Sequence, residues 1–265
     1  MKRKEENRMP DNNKFFDLKG KVAIITGGAG ALGGALAEGL ADFGASVVLT
    51  GRTQSTLEEV AKKIRDKGQV AVPIICDSSK KTEIDAAVQQ TLAEFGKVDI
   101  LVTAAGIARR YPAEIFPEED YEAVMAANVK GTFLACQSVG NVMIKQGYGK
   151  IITVSSVRAF AGHPGGYAAY SMSKGAINIL TKQLATEWAK YNINVNSIAP
   201  TIFWTPLTKQ VLEDEKLKQI FLDRIPMGRA AVAEDMVGSV VFFASPASDF
   251  VTGQVLYVDG GCTAG

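Results

Sequence analysis

The strongest constraint on this chain is a regular alternation: between residues 22 and 258, short β-branched apolar runs take turns with longer segments of helical periodicity. Residues 22–26 read as a strand, 32–43 as a helix ending at Gly44, and 46–50 as a second strand. Residues 53–67 read as a charged amphipathic helix closed by Gly68, 70–75 as a third strand, 80–95 as a helix stopped by Gly96, and 99–104 as a fourth strand. A long helical stretch from about 117 to 146 comes next. It is followed by a strand over 150–155, a helix over 167–191, a strand over 193–199 and a last strand over 254–258. Strands apolar on both faces and separated by helices predict a parallel sheet covered on both sides, and right-handed crossovers wind it in both directions. The expected fold is therefore α/β, a doubly wound parallel sheet of seven strands with helices on both faces, in one domain over residues 16–265. Residues 1–15 are polar and mixed in charge and read as a flexible tail. Residues 200–231 interrupt the rhythm with Phe203, Trp204 and a charged helix, and read as a lid-like insertion.

Composition narrows the function. Lys and Arg total 29 against 28 Asp and Glu, a net charge of +1, which argues against a nucleic-acid partner bound by bulk charge. The three cysteines, Cys76, Cys136 and Cys262, lie far apart, and His163 is the single histidine. No metal site of Cys and His ligands is expected, and sparse, odd cysteines fit a reducing compartment. The N-terminus has no apolar signal core, and no run of about 18 uncharged apolar residues occurs. A cytoplasmic protein without membrane contact is the expectation.

Two motifs carry chemistry. Between the first strand and first helix stands Thr26-Gly27-Gly28-Ala29-Gly30-Ala31-Leu32-Gly33. Glycines let such a turn approach a pyrophosphate, which then sits at the positive end of the helix. The second is Tyr170-Ser171-Met172-Ser173-Lys174, whose Tyr and Lys share one helix face. A phenol titrates near ~10 and is a poor base at neutral pH. A neighbouring ammonium, together with the positive nicotinamide of an oxidised cofactor, is expected to favour its phenolate, making Tyr170 usable for acid–base work.

With these motifs in place, the chain resembles the classical short-chain dehydrogenase/reductase family over residues 16–261, which implies a Rossmann fold. The family fingerprint TGxxxGxG is met except that Ala31 replaces its middle glycine; the extra methyl could shift the phosphates, or Gly30 supply the freedom. The resemblance implies cofactor contacts from Gly27, Gly30, Leu32 and Gly33. It also implies them from Asp77 beside the adenine, from Ala105 and Gly106 after the fourth strand, and from Tyr170, Lys174, Pro200 and Thr205. At the end of the second strand the chain has Arg52 and no acid, which predicts NADP(H) as the preferred cofactor, with NAD(H) as the alternative. The family's NNAG segment is Thr103-Ala104-Ala105-Gly106 here, a structural departure that loses two amides. The resemblance implies catalytic roles for Ser156, which polarises the substrate oxygen, Tyr170, Lys174 and Asn128, which holds a relay water.

Residues 106–112 and 222–229 look like segments of the family's gluconate 5-dehydrogenases and deoxy-ketogluconate dehydrogenases. The expected reaction moves a hydride between a nicotinamide and a secondary alcohol or ketone of a sugar acid or polyol. Arg109, Arg110 or Arg158 could hold a carboxylate, and Trp204 is a further substrate-contact candidate. Alternatives are a 3-oxoacyl carrier-protein or general carbonyl reductase, and a non-catalytic nucleotide sensor. The resemblance further implies a homotetramer or homodimer built on the two long helices.

Overall fold

The computed structural model describes residues 12–205 and 208–264. Most of the expected tail, residues 1–11, lies outside the described residues. Its last four, Asn12–Phe15, form a single 3-10 turn, and Leu18 just beyond is fully buried.

Seven parallel strands form one sheet: β1 (Val22–Thr26), β2 (Ser46–Gly51), β3 (Ala71–Ile75), β4 (Ile100–Thr103), β5 (Gly149–Val154), β6 (Ile193–Pro200) and β7 (Val255–Val258). Their order is β3-β2-β1-β4-β5-β6-β7. The order reverses between β1 and β4, and a crevice opens at the carboxyl ends of the strands at such a reversal. β1, β4 and β5 are buried along their whole length, so they read as continuous apolar runs rather than alternating ones.

The helices divide between the two faces. On one face, α1 (Ala31–Asp42) and α2 (Gln54–Asp66) share a core with Ile25, Val47, Val102 and Ile152. On the other, α3 (Lys81–Phe95), α5 (Gly131–Gln146) and α6 (Ala168–Trp188) bury Ile24, Val48, Leu101 and Ile151. The expected long helix over 117–146 is three consecutive helical pieces: α4 (Glu118–Met125), a wide π turn over Ala126–Lys130, and α5. In that turn the Gly131 N–H reaches back five residues to the Ala126 carbonyl. Two short helices, α7 (Lys209–Glu213) and α8 (Glu215–Leu222), occupy the segment after β6.

One helix escaped the sequence reading. α9 (Val237–Ala244) has the sequence VGSVVFFA, apolar on all sides, so no period marks it as a helix. It lies in the first core with Val240, Val241 and Phe243 buried. The contact with α1 is at Gly39, where any side chain would overlap the Val237 methyl groups. Gly39→Ala is therefore expected to cost about 1–3 kcal/mol by overpacking. Urea unfolding should show most of that loss recovered in the double variant with Val237→Ala; an additive double variant would disprove the contact.

Candidate active site

A cleft of about 480 Å³ opens where the strand order reverses. Its walls come from the ends of four strands: Gly30 to Gly33 after β1, Ala104 and Gly106 after β4, Ser155 to Arg158 after β5, and Pro200 to Phe203 at the end of β6.

The glycine turn is built by close approach. Gly27 has φ +68°, and a Cβ there would stand 2.8 Å from the Ala105 backbone nitrogen and Cα. A Cβ on Gly33 would overlap the Gly27 carbonyl. The turn thus holds α1 tightly against the loop after β4, with the helix N-terminus facing the cleft, a cradle that fits a phosphate. Gly30 is the N-cap of α1 with an ordinary φ of −73°, so it does not supply the conformational freedom considered for it; its own Cβ would stand 3.2 Å from the Gly27 carbonyl. Ala31 opens α1 and is exposed to the cleft, so its methyl faces the space the phosphates would take. Leu32 and Gly33 line the same wall.

Arg52 stands exposed just past β2 and forms no ion pair among the described residues. Asp77 accepts from the Ser79 N–H at 3.0 Å and its hydroxyl at 2.8 Å. The Ser79 N–H, its hydroxyl and the Lys80 and Arg52 charges hold the Asp77 carboxyl below its usual range. Lys80 is the N-cap of α3, and Glu83 reaches back to accept from the Asp77 N–H at 2.8 Å. The Ala105 N–H donates to Thr26 Oγ1 at 3.3 Å. Thr103 Oγ1, where the family has an amide, is buried without a partner among the described residues. Thr205 lines the cleft, its hydroxyl 3.0 Å from both the backbone nitrogen and Oγ1 of Thr208.

Ser156, Tyr170 and Lys174 meet at the floor. Lys174 is buried, and its Nζ donates to the Val154 carbonyl at 2.8 Å. That nitrogen lies 5.6 Å from the centroid of the Tyr170 ring. Ser155 Oγ donates to the Lys174 carbonyl at 3.2 Å and so ties α6 to β5, while Ser156 faces the cleft. Burial pushes Lys174 down to about 8. Burial pushes the Tyr170 phenol up, with a Ser156 hydrogen bond and the Arg158 charge pulling the other way. The lowering expected of Tyr170 depends on an oxidised nicotinamide as well as on the ammonium; in the chain alone, desolvation of the phenolate sets the direction.

Asn128 sits on the π turn and is buried. Its Oδ1 accepts the Ile107 N–H at 2.8 Å, and its Nδ2 donates to the Ile107 carbonyl and to Ser173 Oγ, both at 2.9 Å. Through these bonds the amide clamps the loop after β4 to α6, and Oδ1 retains a second lone pair.

Two substrate candidates fall outside the cleft. Arg109 is turned away, paired with Asp120 at 3.0 Å. Trp204 is exposed in a separate depression with Leu212 and Leu222, while its neighbour Phe203 lines the cleft. Extended chain alternates sides, and the bridge between Phe203 and Ala231 fixes which of the two aromatics turns inward. Arg110 and Arg158 do line the cleft, as do Ile107, Tyr167, Thr208 and Phe221, which sequence reading passed over. Phe221 carried a signal, being on the inward face of a charged helix in the segment expected to cover the site.

His163 lies at the rim. Its ring stacks on Phe221 at 4.8 Å, meets Tyr167 edge-on at 5.4 Å, and accepts the Gly165 N–H on Nδ1 at 3.0 Å. Burial, followed by the charges of Arg158, Arg224 and Arg110, pushes it down to about 4 from 6.5. The stability tied to this ring is complete above 6.5 and is lost as the pH falls toward about 4, because the unfolded chain takes up the proton first. Melting temperatures of His163→Gln should therefore drop less than the parent's between neutral pH and about 4; equal drops would place the ring in water.

Among the described residues no group of three or more His, Cys, Asp or Glu could hold a metal ion, and no helix is long and apolar enough to cross a membrane.

Comparison with known proteins supplies context. The family model described as enoyl-(acyl carrier protein) reductase matches residues 27–263. The chain is 38% identical over 249 residues to gluconate 5-dehydrogenase of Gluconobacter oxydans, covering 94% of this chain and 97% of that protein. It is 42% identical over 250 residues to 2-dehydro-3-deoxy-D-gluconate 5-dehydrogenase of Dickeya dadantii, covering 94% and 98%. The crystal structure of a gluconate 5-dehydrogenase from Burkholderia cenocepacia, in complex with NADP and tartrate, superimposes with a TM-score of 0.92 at 38% identity, covering 96% of this chain and 99% of that one.

Proposed function

The chain belongs to the short-chain dehydrogenase/reductase family, and from that membership we propose an NADP(H)-dependent oxidoreductase that interconverts hydroxyl and ketone on a sugar acid. The observation that carries this reading is the meeting of Ser156, Tyr170 and Lys174 on the floor of a cleft whose opposite wall is the glycine turn. Relatives of similar length bear the names of gluconate and deoxy-ketogluconate dehydrogenases, which supports the substrate class.

When bound, the nicotinamide cofactor supplies or accepts the hydride. Gly27, Gly30, Leu32 and Gly33 would hold its pyrophosphate at the N-terminus of α1, and Arg52 its 2′-phosphate. Asp77 would face the adenine side, and Ala105, Gly106, Pro200 and Thr205 would line the rest of its path. Ser156 donates a hydrogen bond to the substrate oxygen. Tyr170 gives its proton to that oxygen in reduction and takes it back in oxidation. A raised phenol arrives protonated at neutral pH, which suits it to act as the acid. Lys174, fixed by the Val154 carbonyl, places positive charge under the phenol and makes its ionisation in the reverse direction less costly. Asn128 acts as a positioning residue through Ile107 and Ser173. Arg110 and Arg158 reach the same cleft and offer the carboxylate a partner.

The segment over 200–231 serves as the lid, with Phe203 and Phe221 turned toward the cleft. Assembly into a dimer or tetramer proceeds through α5 and α6, which expose Phe133, Met172 and Ile179. A cytoplasmic location fits this metabolism.

Tyr170→Phe should reduce turnover of a keto sugar acid by at least about 100-fold while NADPH still quenches or enhances fluorescence with near-parental affinity. Unchanged turnover would remove Tyr170 from the mechanism, and activity confined to acyl thioesters in a substrate panel would replace the sugar-acid reading. Arg52→Gln should lower kcat/KM for NADPH about tenfold with little change for NADH, since it removes one charge-assisted contact to a phosphate. Equal losses with both cofactors would place the 2′-phosphate elsewhere.

A further inference from the structure

Arg158 of the cleft wall and Arg224 of the lid segment meet beside the cleft, and Arg110 lines it, with no carboxylate paired to any of the three among the described residues. Arg110 follows β4, Arg158 follows β5, and Arg224 follows α8 in the lid segment. Arg158 and Arg224 share one acceptor: the Gly162 carbonyl lies 3.2 Å from Arg158 Nη1 and 3.3 Å from Arg224 Nη1. The separation of those two nitrogens therefore cannot exceed the sum of the two distances. Arg110 lies against Tyr167, its Cζ 5.8 Å from that ring's centroid and its Nη1 3.5 Å from the phenol oxygen. Other arginines nearby are neutralised, Arg109 by Asp120 and Arg229 by Asp235. Among the described residues none of Arg110, Arg158 and Arg224 forms an ion pair.

Like charges held together without a counter-ion are unfavourable. Burial lowers the pKa of Arg158, and the charge of Arg224 pulls the same way, while Cys262, Tyr167 and Tyr170 pull against them. A fixed fork of donors is matched to a carboxylate, which would relieve that repulsion. His163 feels the charges of all three, and its stack on Phe221 joins α8 to the loop after β5. The lid helix and the arginine pair are thus one mechanical unit.

We propose that Arg158 and Arg224 grip the substrate carboxylate from two sides, and that Arg224, delivered by the lid, is the residue that selects acids over neutral polyols. This rests on the sugar-acid reading of the same cleft. Arg158 takes the carboxylate from the sheet side, Arg224 from the lid side, and Arg110 guards the rim. A neutral polyol of the same carbon chain meets Ser156 and Tyr170 but leaves the two guanidiniums unanswered.

Isothermal titration of gluconate and of glucitol into the NADP-saturated protein measures the preference directly. The ratio of the two affinities should fall about tenfold or more in Arg224→Gln, the loss of one charge-assisted interaction. Arg224→Lys should recover part of it, since the charge returns without the fork. Raising the salt concentration should shrink the parent's preference. Arg158→Gln, tested in parallel, carries the same expectation if Arg224→Gln does not fold. A parent that binds glucitol as well as gluconate overturns the proposal. So does a preference that survives these substitutions within about twofold, or Lys and Gln variants of equal effect. Turnover of a keto sugar acid by the same parent sample is read separately. A protein that prefers the acid yet transfers no hydride keeps the grip and loses the dehydrogenase reading.

Discussion

The buried ammonium of Lys174, held by the Val154 carbonyl, turns a helix lying on a sheet into a site. A charge removed from water with no partner costs several kcal/mol, so α6 must keep this turn over the end of β5. Ser155 fastens the same turn through the Lys174 carbonyl. These two bonds fix the height of Tyr170, one turn earlier on α6, relative to Ser156, the next residue after Ser155. The Asn128 amide then locks the loop after β4 to Ser173, between Tyr170 and Lys174 on α6. Ser155, Lys174 and Asn128 each tie α6 to the strand ends beneath the cleft.

A row of hydroxyls lies in register beneath it. Thr50, Thr26, Thr103, Thr153 and Ser197 are paired across neighbouring strands, and all are buried. Thr153 meets Thr181 of α6 at 2.8 Å, Ser197 donates to the Thr153 carbonyl at 3.2 Å, and Thr26 accepts the Ala105 N–H. The apolar sheet yields to polar chemistry at this level. Thr103 is the exception, a hydroxyl without a partner among the described residues in the place of the family's amide. An unsatisfied buried hydroxyl costs on the order of 1–3 kcal/mol. The Asn128 clamp joins the next stretch of the same loop to α6 by side-chain bonds.

The sheet was legible because every strand is a short β-branched run bounded by helices, and the seven strands found differ from those read only by a residue or two at their ends. Periodicity failed where it had nothing to measure. α9 is apolar on all sides, and the long helix through Asn128 looks continuous because a π turn inserts a residue between consecutive helical pieces. At the site, one-dimensional spacing identified groups that share a helix face, such as Tyr170 and Lys174. It could not assign the inward aromatic between Phe203 and Trp204, which depends on a bridge to Ala231, or foresee that Asp120 would occupy Arg109. Nor could it show Arg224 beside Arg158, since that meeting joins residues 66 positions apart through a shared carbonyl of the intervening loop. The direction of the Tyr170 shift in the chain alone depends on burial, which spacing does not show, whereas charge proximity can be read from it.

The central claim is that this floor hands a proton to an oxygen whose carbon receives a hydride. Its most direct test uses NADPH carrying deuterium at the transferring position, mixed with a keto sugar acid, and mass spectrometry of the product. The account predicts one deuterium on the new carbinol carbon. A product with no label, or a label lost to solvent while the ketone is consumed, would contradict it.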